Sequence, residues 1–106
     1  MPPIRCTRHA LGNLRHIGEW IGQDNPTAAQ RVIARLAAAI DLLRDQPDLG
    51  RPGRIAGTRE LALEDIPYIV AYRLNAGHVE IIAVFHAAQR WPGHRATVSA
   101  RLRSKP

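Results

Sequence analysis

Residues 67–86 read PYIVAYRLNAGHVEIIAVFH, two apolar halves held apart by Asn75-Ala76-Gly77. Both halves are rich in the β-branched and aromatic side chains that pack well on a pleated surface. A three-residue connection ending in glycine fits a β-hairpin in which Gly77 adopts the left-handed conformation. The second half is apolar at nearly every position from residue 79 to 85. A run of that kind suits a central strand buried on most of both faces, so the hairpin is expected at the middle of a sheet.

Upstream, TRELAL at residues 58–63 alternates Leu61 and Leu63 against Glu60 and Ala62. Period two with a charged alternate predicts a third strand with one wet face. PIRCT at 3–7 predicts a short opening strand, at a sheet edge because of Pro2 and Pro3. From about His9 the period becomes helical: Leu11, Leu14, Ile17 and Ile21 recur at spacings of three and four, with Trp20 beside them. Asn25-Pro26 then marks a new start, asparagine as N-cap and proline at the first helical position. Ala29, Val32, Ile33, Leu36, Ile40 and Leu43 form one stripe of this second helix. It should end near Gln46, because Pro47 disfavours helix in the residue before it. The Gly- and Pro-dense segment PDLGRPGRIAG at 47–57 reads as a loop. These elements predict an α+β fold, a helical hairpin packed on a twisted, mainly antiparallel sheet of three or four strands.

A chain of 106 residues, 45% of them apolar, suits one domain spanning 1–106, with a polar basic tail from about residue 93. There is no apolar run near the roughly 18 residues that cross a bilayer, and the opening MPPIRCTRHALG lacks the apolar centre of a signal peptide. A lone Cys6 makes no internal disulfide, so a reducing, cytoplasmic setting is expected. Fifteen basic residues, fourteen of them arginine, oppose nine acidic ones, and the last acidic residue is Glu80. The all-cationic remainder favours a polyanionic partner, nucleic acid or an acidic protein segment. His9, His16, His78 and His94 show no ligand spacing with Cys6 or the carboxylates, so no metal and no cofactor are expected.

The ordered set GTRELAL, PYIVAYRL and VFHAAQRWP, between residues 57 and 92, resembles the RelE/ParE superfamily of toxins from bacterial type II toxin–antitoxin systems. The likeness runs from about Cys6 to Trp91 and is strongest to the ParE-like branch, whose members are often labelled plasmid-stabilisation proteins. It implies growth inhibition, relieved by a cognate ParD-like antitoxin whose acidic C-terminal segment folds across the toxin. Contact with DNA is implied only through that antitoxin, and none with a membrane.

Two activities are known in the superfamily. RelE-type members cleave mRNA on the ribosome, whereas ParE-type members inhibit DNA gyrase. Metal-free RNA cleavage requires an activated 2′-hydroxyl, a stabilised phosphorane and a protonated leaving group. RelE-like enzymes meet the second need with arginines, in patterns like YRLVY and HRREVY. Laid on this chain, the first falls on residues 68–72 and the second on 86–91. The arginine positions are then Ile69 and Ala87, and the terminal tyrosine is Trp91. Losing one such donor costs on the order of a hundredfold in rate. The reading is therefore a toxin that grips gyrase rather than an enzyme. If it is a ribonuclease, His86, Arg90 and Arg59 are the catalytic candidates. A basic nucleic-acid-binding module is a further alternative, weakened by only five aromatic residues.

Binding to antitoxin or target is assigned to Arg59, Arg73, His86, Arg90 and Trp91, the arginines forming a basic patch. His86 is expected to end a strand hydrogen-bonded to a neighbour, and Trp91 to close the core against the helices.

Overall fold

A computed structural model describes residues 3–89 and residue 91. The predicted tail from residue 93 lies outside them, as does Arg90. The elements run β1 (Ile4–Cys6), α1 (Arg8–Gly22), α2 (Pro26–Leu42), β2 (Arg51–Pro52), β3 (Arg59–Ala62), β4 (Tyr68–Asn75) and β5 (His78–His86). The strands form one sheet ordered β1-β5-β4-β3-β2. Among the described residues only the β1–β5 pairing is parallel.

Local chemistry starts each helix where the sequence places it. The Thr7 hydroxyl accepts from Ala10 N at 3.0 Å and donates to Ile82 O at 3.1 Å, so one side chain both caps α1 and ties it to β5. Asn25 accepts from Ala28 N at 3.0 Å and caps α2, with Pro26 in its first turn. α-Geometry ends at Leu42 rather than near Gln46. The chain winds on through tighter bonds, Leu43 N to Ile40 O, Arg44 N to Asp41 O and Asp45 N to Leu42 O.

The two helices cover one face of the sheet. Ala10, Ile17, Leu36, Ile40 and Leu43 meet Tyr68, Val70, Tyr72, Val79, Ile81 and Val84 there. The α1 stripe begins at buried Ala10 and not at Leu11, which is 49% exposed, and Trp20 points to solvent at 63%. A stripe through 10, 14, 17 and 21 keeps the helical period and turns those two larger side chains outward.

The hairpin is as central as its composition demands, with three differences around it. Its loop has two residues, Ala76 and Gly77, at φ of 52° and 81°, because Asn75 already pairs with His78. Two successive left-handed residues are the type I′ arrangement that matches strand twist. Among the described residues the sheet has five strands, since the segment read wholly as loop contributes the two-residue β2. Finally, a bulge leaves Ile82 unpaired between Ile81↔Tyr72 and Ala83↔Ala71. The bulge shifts the alternation of β5, so that Val79, Ile81 and Val84 face the helices while Ala83 and Phe85 face away.

Candidate functional site

The sheet face away from the helices has its own small core of Ile69, Ala71, Ala83 and Phe85, against which Ile82 and Trp91 pack. Trp91 therefore does not close the helical core. Its ring stacks on Phe85, centroids 5.0 Å apart and planes at 12°. Strand β3 adds Glu60 to this face through its pairing with Ala71. Glu60 was expected on a wet face, yet it is 1% exposed. The loop between β2 and β3 folds over it and takes the place of water.

That loop is held by its own backbone. Gly53 N donates to Thr58 O at 2.8 Å, and the Thr58 hydroxyl donates to Ile55 O at 2.6 Å. A Cβ on Gly53 would run into the Thr58 side chain, so the close approach needs glycine. The fold-back places Arg54 across the face. Its backbone N–H donates to Glu60 Oε2 at 3.0 Å, and its Nε lies 3.3 Å from Oε1. Its Nη1 donates to Trp91 O at 2.9 Å, and its guanidinium carbon stands 5.5 Å from the Phe85 ring centroid. Arg51 reaches the same carboxylate, Nη2 lying 3.6 Å from Oε1. Among the described residues Oε1 itself has no hydrogen-bond partner.

The residues singled out from sequence are not gathered into one patch. His86 lies on the helix face, edge-on to Tyr68 at 5.4 Å, so β5 separates it from Trp91. Its Nδ1 accepts from Ala88 N at 3.0 Å, and its backbone N–H donates to Gln89 Oε1 at 2.7 Å. Arg59 pairs with Tyr72 in register and is turned toward the loop before β2, Nη1 donating to Gly50 O at 2.6 Å and Nη2 lying 3.6 Å from Asp48 Oδ1. Arg73 donates to Glu80 across the hairpin at 2.7 Å, and the guanidinium holds that carboxyl below its ordinary range. Alternation puts Arg59 and Arg73 on opposite faces, and Arg90 is outside the described residues. Arg51, Arg54 and Glu60 were the missed group. Their signal was two arginines in a Gly/Pro-dense segment a few residues before a strand glutamate, a segment read only as a loop.

The helix side offers a mainly apolar groove that also takes in the Asp41–Arg44 ion pair. A groove of about 230 Å³ opens between β1 and the helices, lined by Ile4, Cys6, Leu14, Ile33 and Ile40 with Arg44 at its rim. Burial pushes the Cys6 thiol up, which keeps it protonated. Among the described residues no three His, Cys, Asp or Glu side chains come together as metal ligands, and no helix is long and apolar enough to cross a membrane.

With this geometry in view, the sequence model described as "ParE toxin of type II toxin-antitoxin system, parDE" matches residues 4–91, from β1 through Trp91. The chain belongs to the ParE toxin family. As a ParE-family toxin it is 54% identical over 89 residues to the protein named "Putative toxin Y4kP" of Sinorhizobium fredii, covering 84% of this chain and 92% of that one. It is 39% identical over 89 residues to "Toxin RelE2" of Caulobacter vibrioides, covering 84% and 99% respectively. A solved structure described as "Chromosomal ParDE TA system from P. aeruginosa" superposes with a TM-score of 0.74 at 22% identity, over 81% of this chain and 96% of that one. The helical hairpin on a mixed sheet is thus the ParE fold. Membership makes this chain the toxin of a type II toxin–antitoxin system and implies an antitoxin as its partner.

Proposed function

We propose that this ParE-family toxin acts in the cytoplasm by binding DNA gyrase, without chemistry of its own, and is neutralised by an antitoxin with an acidic C-terminal segment. The observation that carries the reading is the residue at the strand position where RelE-type enzymes keep an arginine. Here it is Ile69, 4% exposed and packed with Ala71, Ala83 and Phe85. No cation can act from that position on a phosphorane. Ala87 follows the strand without charge, and its backbone N–H is spent on Pro67 O at 2.8 Å. His86 has one ring nitrogen occupied by Ala88 N, and Trp91 cannot supply the ionisable phenol.

A supercoiling assay with purified gyrase tests the reading. Micromolar toxin should inhibit, and adding the antitoxin encoded beside it should restore activity. Full supercoiling by gyrase at that concentration, with antitoxin binding intact, would sink the gyrase assignment. The name of the RelE2 relative favours a second reading, cleavage of ribosome-bound mRNA. Mapping of mRNA ends after induction separates the two: cleavage lost in His86→Ala would reverse the ranking. Under the gyrase reading, induced cells should filament from DNA damage while translation continues.

A further inference from the structure

A carboxylate removed from water is costly unless its charge and lone pairs are met. Glu60, 1% exposed, is met unevenly. Oε2 accepts from Arg54 N, while Oε1 has no hydrogen-bond partner among the described residues although two guanidiniums flank it at 3.3 and 3.6 Å. Among the described residues, two cations around one anion leave this corner with one excess positive charge. Both arginine side chains keep surface in solvent, 61% for Arg51 and 39% for Arg54. Arg54 is fixed on three sides by Glu60, Trp91 O and the Phe85 ring, and the Trp91–Phe85 stack beside it forms an apolar shelf.

We infer that Arg51 and Arg54 form a binding site for a carboxylate side chain of an acidic peptide segment, with buried Glu60 as the positioning residue that aims both guanidiniums and the Trp91 shelf taking a neighbouring apolar side chain. The inference rests on the reading of an acidic antitoxin segment given above, and adds where on the toxin one of its carboxylates docks. Guanidinium forks match a carboxylate in geometry, and one excess charge matches one carboxylate in magnitude. A nucleic-acid strand would want a track of cations and open aromatic faces. Among the described residues, Arg73 on this face is already paired with Glu80, beside which Arg5 lies in register on β1, and one face of Trp91 lies on Phe85.

The test uses the Trp20→Phe protein, in which Trp91 is the remaining indole of the chain's two. A short synthetic peptide of alternating Glu and Leu is titrated near physiological salt while Trp91 emission is followed, beside an oligouridylate of equal charge. Saturable binding of the peptide is expected, weakened about tenfold by Arg51→Ala and by the charge-retaining Arg54→Lys. Glu60→Gln is the decisive variant. It raises net charge by one, so a diffuse basic surface would bind the peptide more tightly, whereas a positioning role weakens binding by about tenfold. Absent peptide binding, binding indifferent to Arg51→Ala, or tighter binding in Glu60→Gln would each overturn the proposal. Preferential oligouridylate binding lost in Arg51→Ala would overturn the choice of partner. If Glu60→Gln fails a thermal-melt check of folding, exposed Arg51 on the edge strand decides alone. Cognate antitoxin held equally by wild type and the Arg51→Ala/Arg54→Lys pair would remove this site and leave the antitoxin reading standing. No antitoxin binding to wild type would remove that reading itself.

Discussion

Tyr72 is wholly buried, and its hydroxyl works in both directions at once. It donates to Pro47 O at 2.7 Å and accepts from Gly50 N at 2.8 Å, pinning the segment between α2 and β2 to the middle of the sheet. Burial pushes the phenol above its ordinary 10, so it stays a donor at neutral pH. Tyr72→Phe keeps the ring but strands a carbonyl and an N–H, and should cost about 1–3 kcal/mol in urea unfolding. Gly50→Ala probes the same junction from the other side. An added Cβ would lie 2.8 Å from the Tyr72 ring and hydroxyl, so either tyrosine or loop must move, and the melting temperature should fall at least as far. Nothing in the run YIVAYR distinguishes this tyrosine from Tyr68. Its partners, Pro47 and Gly50, arrive from a loop more than twenty residues upstream.

At the scale of elements, the β4–β5 hairpin has one residue out of place. Ala76 sits at φ 52°, where an L-residue with a Cβ is strained by about 1–2 kcal/mol. Asparagine or glycine tolerates that region, and Asn-Gly is the favoured pair for a type I′ turn. Ala76→Asn should therefore raise stability by about 0.5–1 kcal/mol, read as a higher urea midpoint at unchanged slope. The existence of the hairpin and the centrality of β5 were legible, because a long apolar run bounded by a glycine turn has few other uses. The bulge at Ile82 was not. It depends on β5 meeting two different surfaces, β1 with the Thr7 and Asn13 side chains on one edge and β4 on the other. Asn13 Oδ1 takes the Val84 N–H at 3.0 Å where β1 has ended, so a helix side chain completes the strand edge.

At the scale of the whole molecule, surface ion pairs join one element to another, one spanning 30 residues of sequence and one crossing the hairpin. Arg35 on α2 bonds Asp65, after β3, at 2.6 Å, and Arg73 bonds Glu80 at 2.7 Å. Both carboxyls are held below their ordinary values of 3.8 and 4.5, the arginine hydrogen bond being the largest cause in each. A depressed folded pKa means stability that is present above the unfolded value and lost as pH falls through the folded one. The melting temperature should accordingly hold from neutrality to about pH 5 and decline below about pH 4. High salt should flatten that decline, because both pairs are exposed and screened. An acid profile that steepens in high salt would contradict this origin.

By itself the sequence determined the α+β class, a first helix from about His9, the start of the second at Asn25, and the central hairpin. Each of these rests on local chemistry: a cap within three residues, a period of two or of 3.6, a glycine turn. Only the tertiary structure decided which charges meet. It divided His86 from Trp91 across the two faces of β5, tied Arg59 and Arg73 to separate partners, and brought Arg51 and Arg54 from a loop onto buried Glu60. A buried charge needs partners in space, and a fold-back loop supplies them without leaving a periodic trace in the chain. Within FHAAQRWP at 85–92, alternation sends Phe85 and His86 to opposite sides of the sheet, and beyond the end of β5 Trp91 comes back to stack on Phe85.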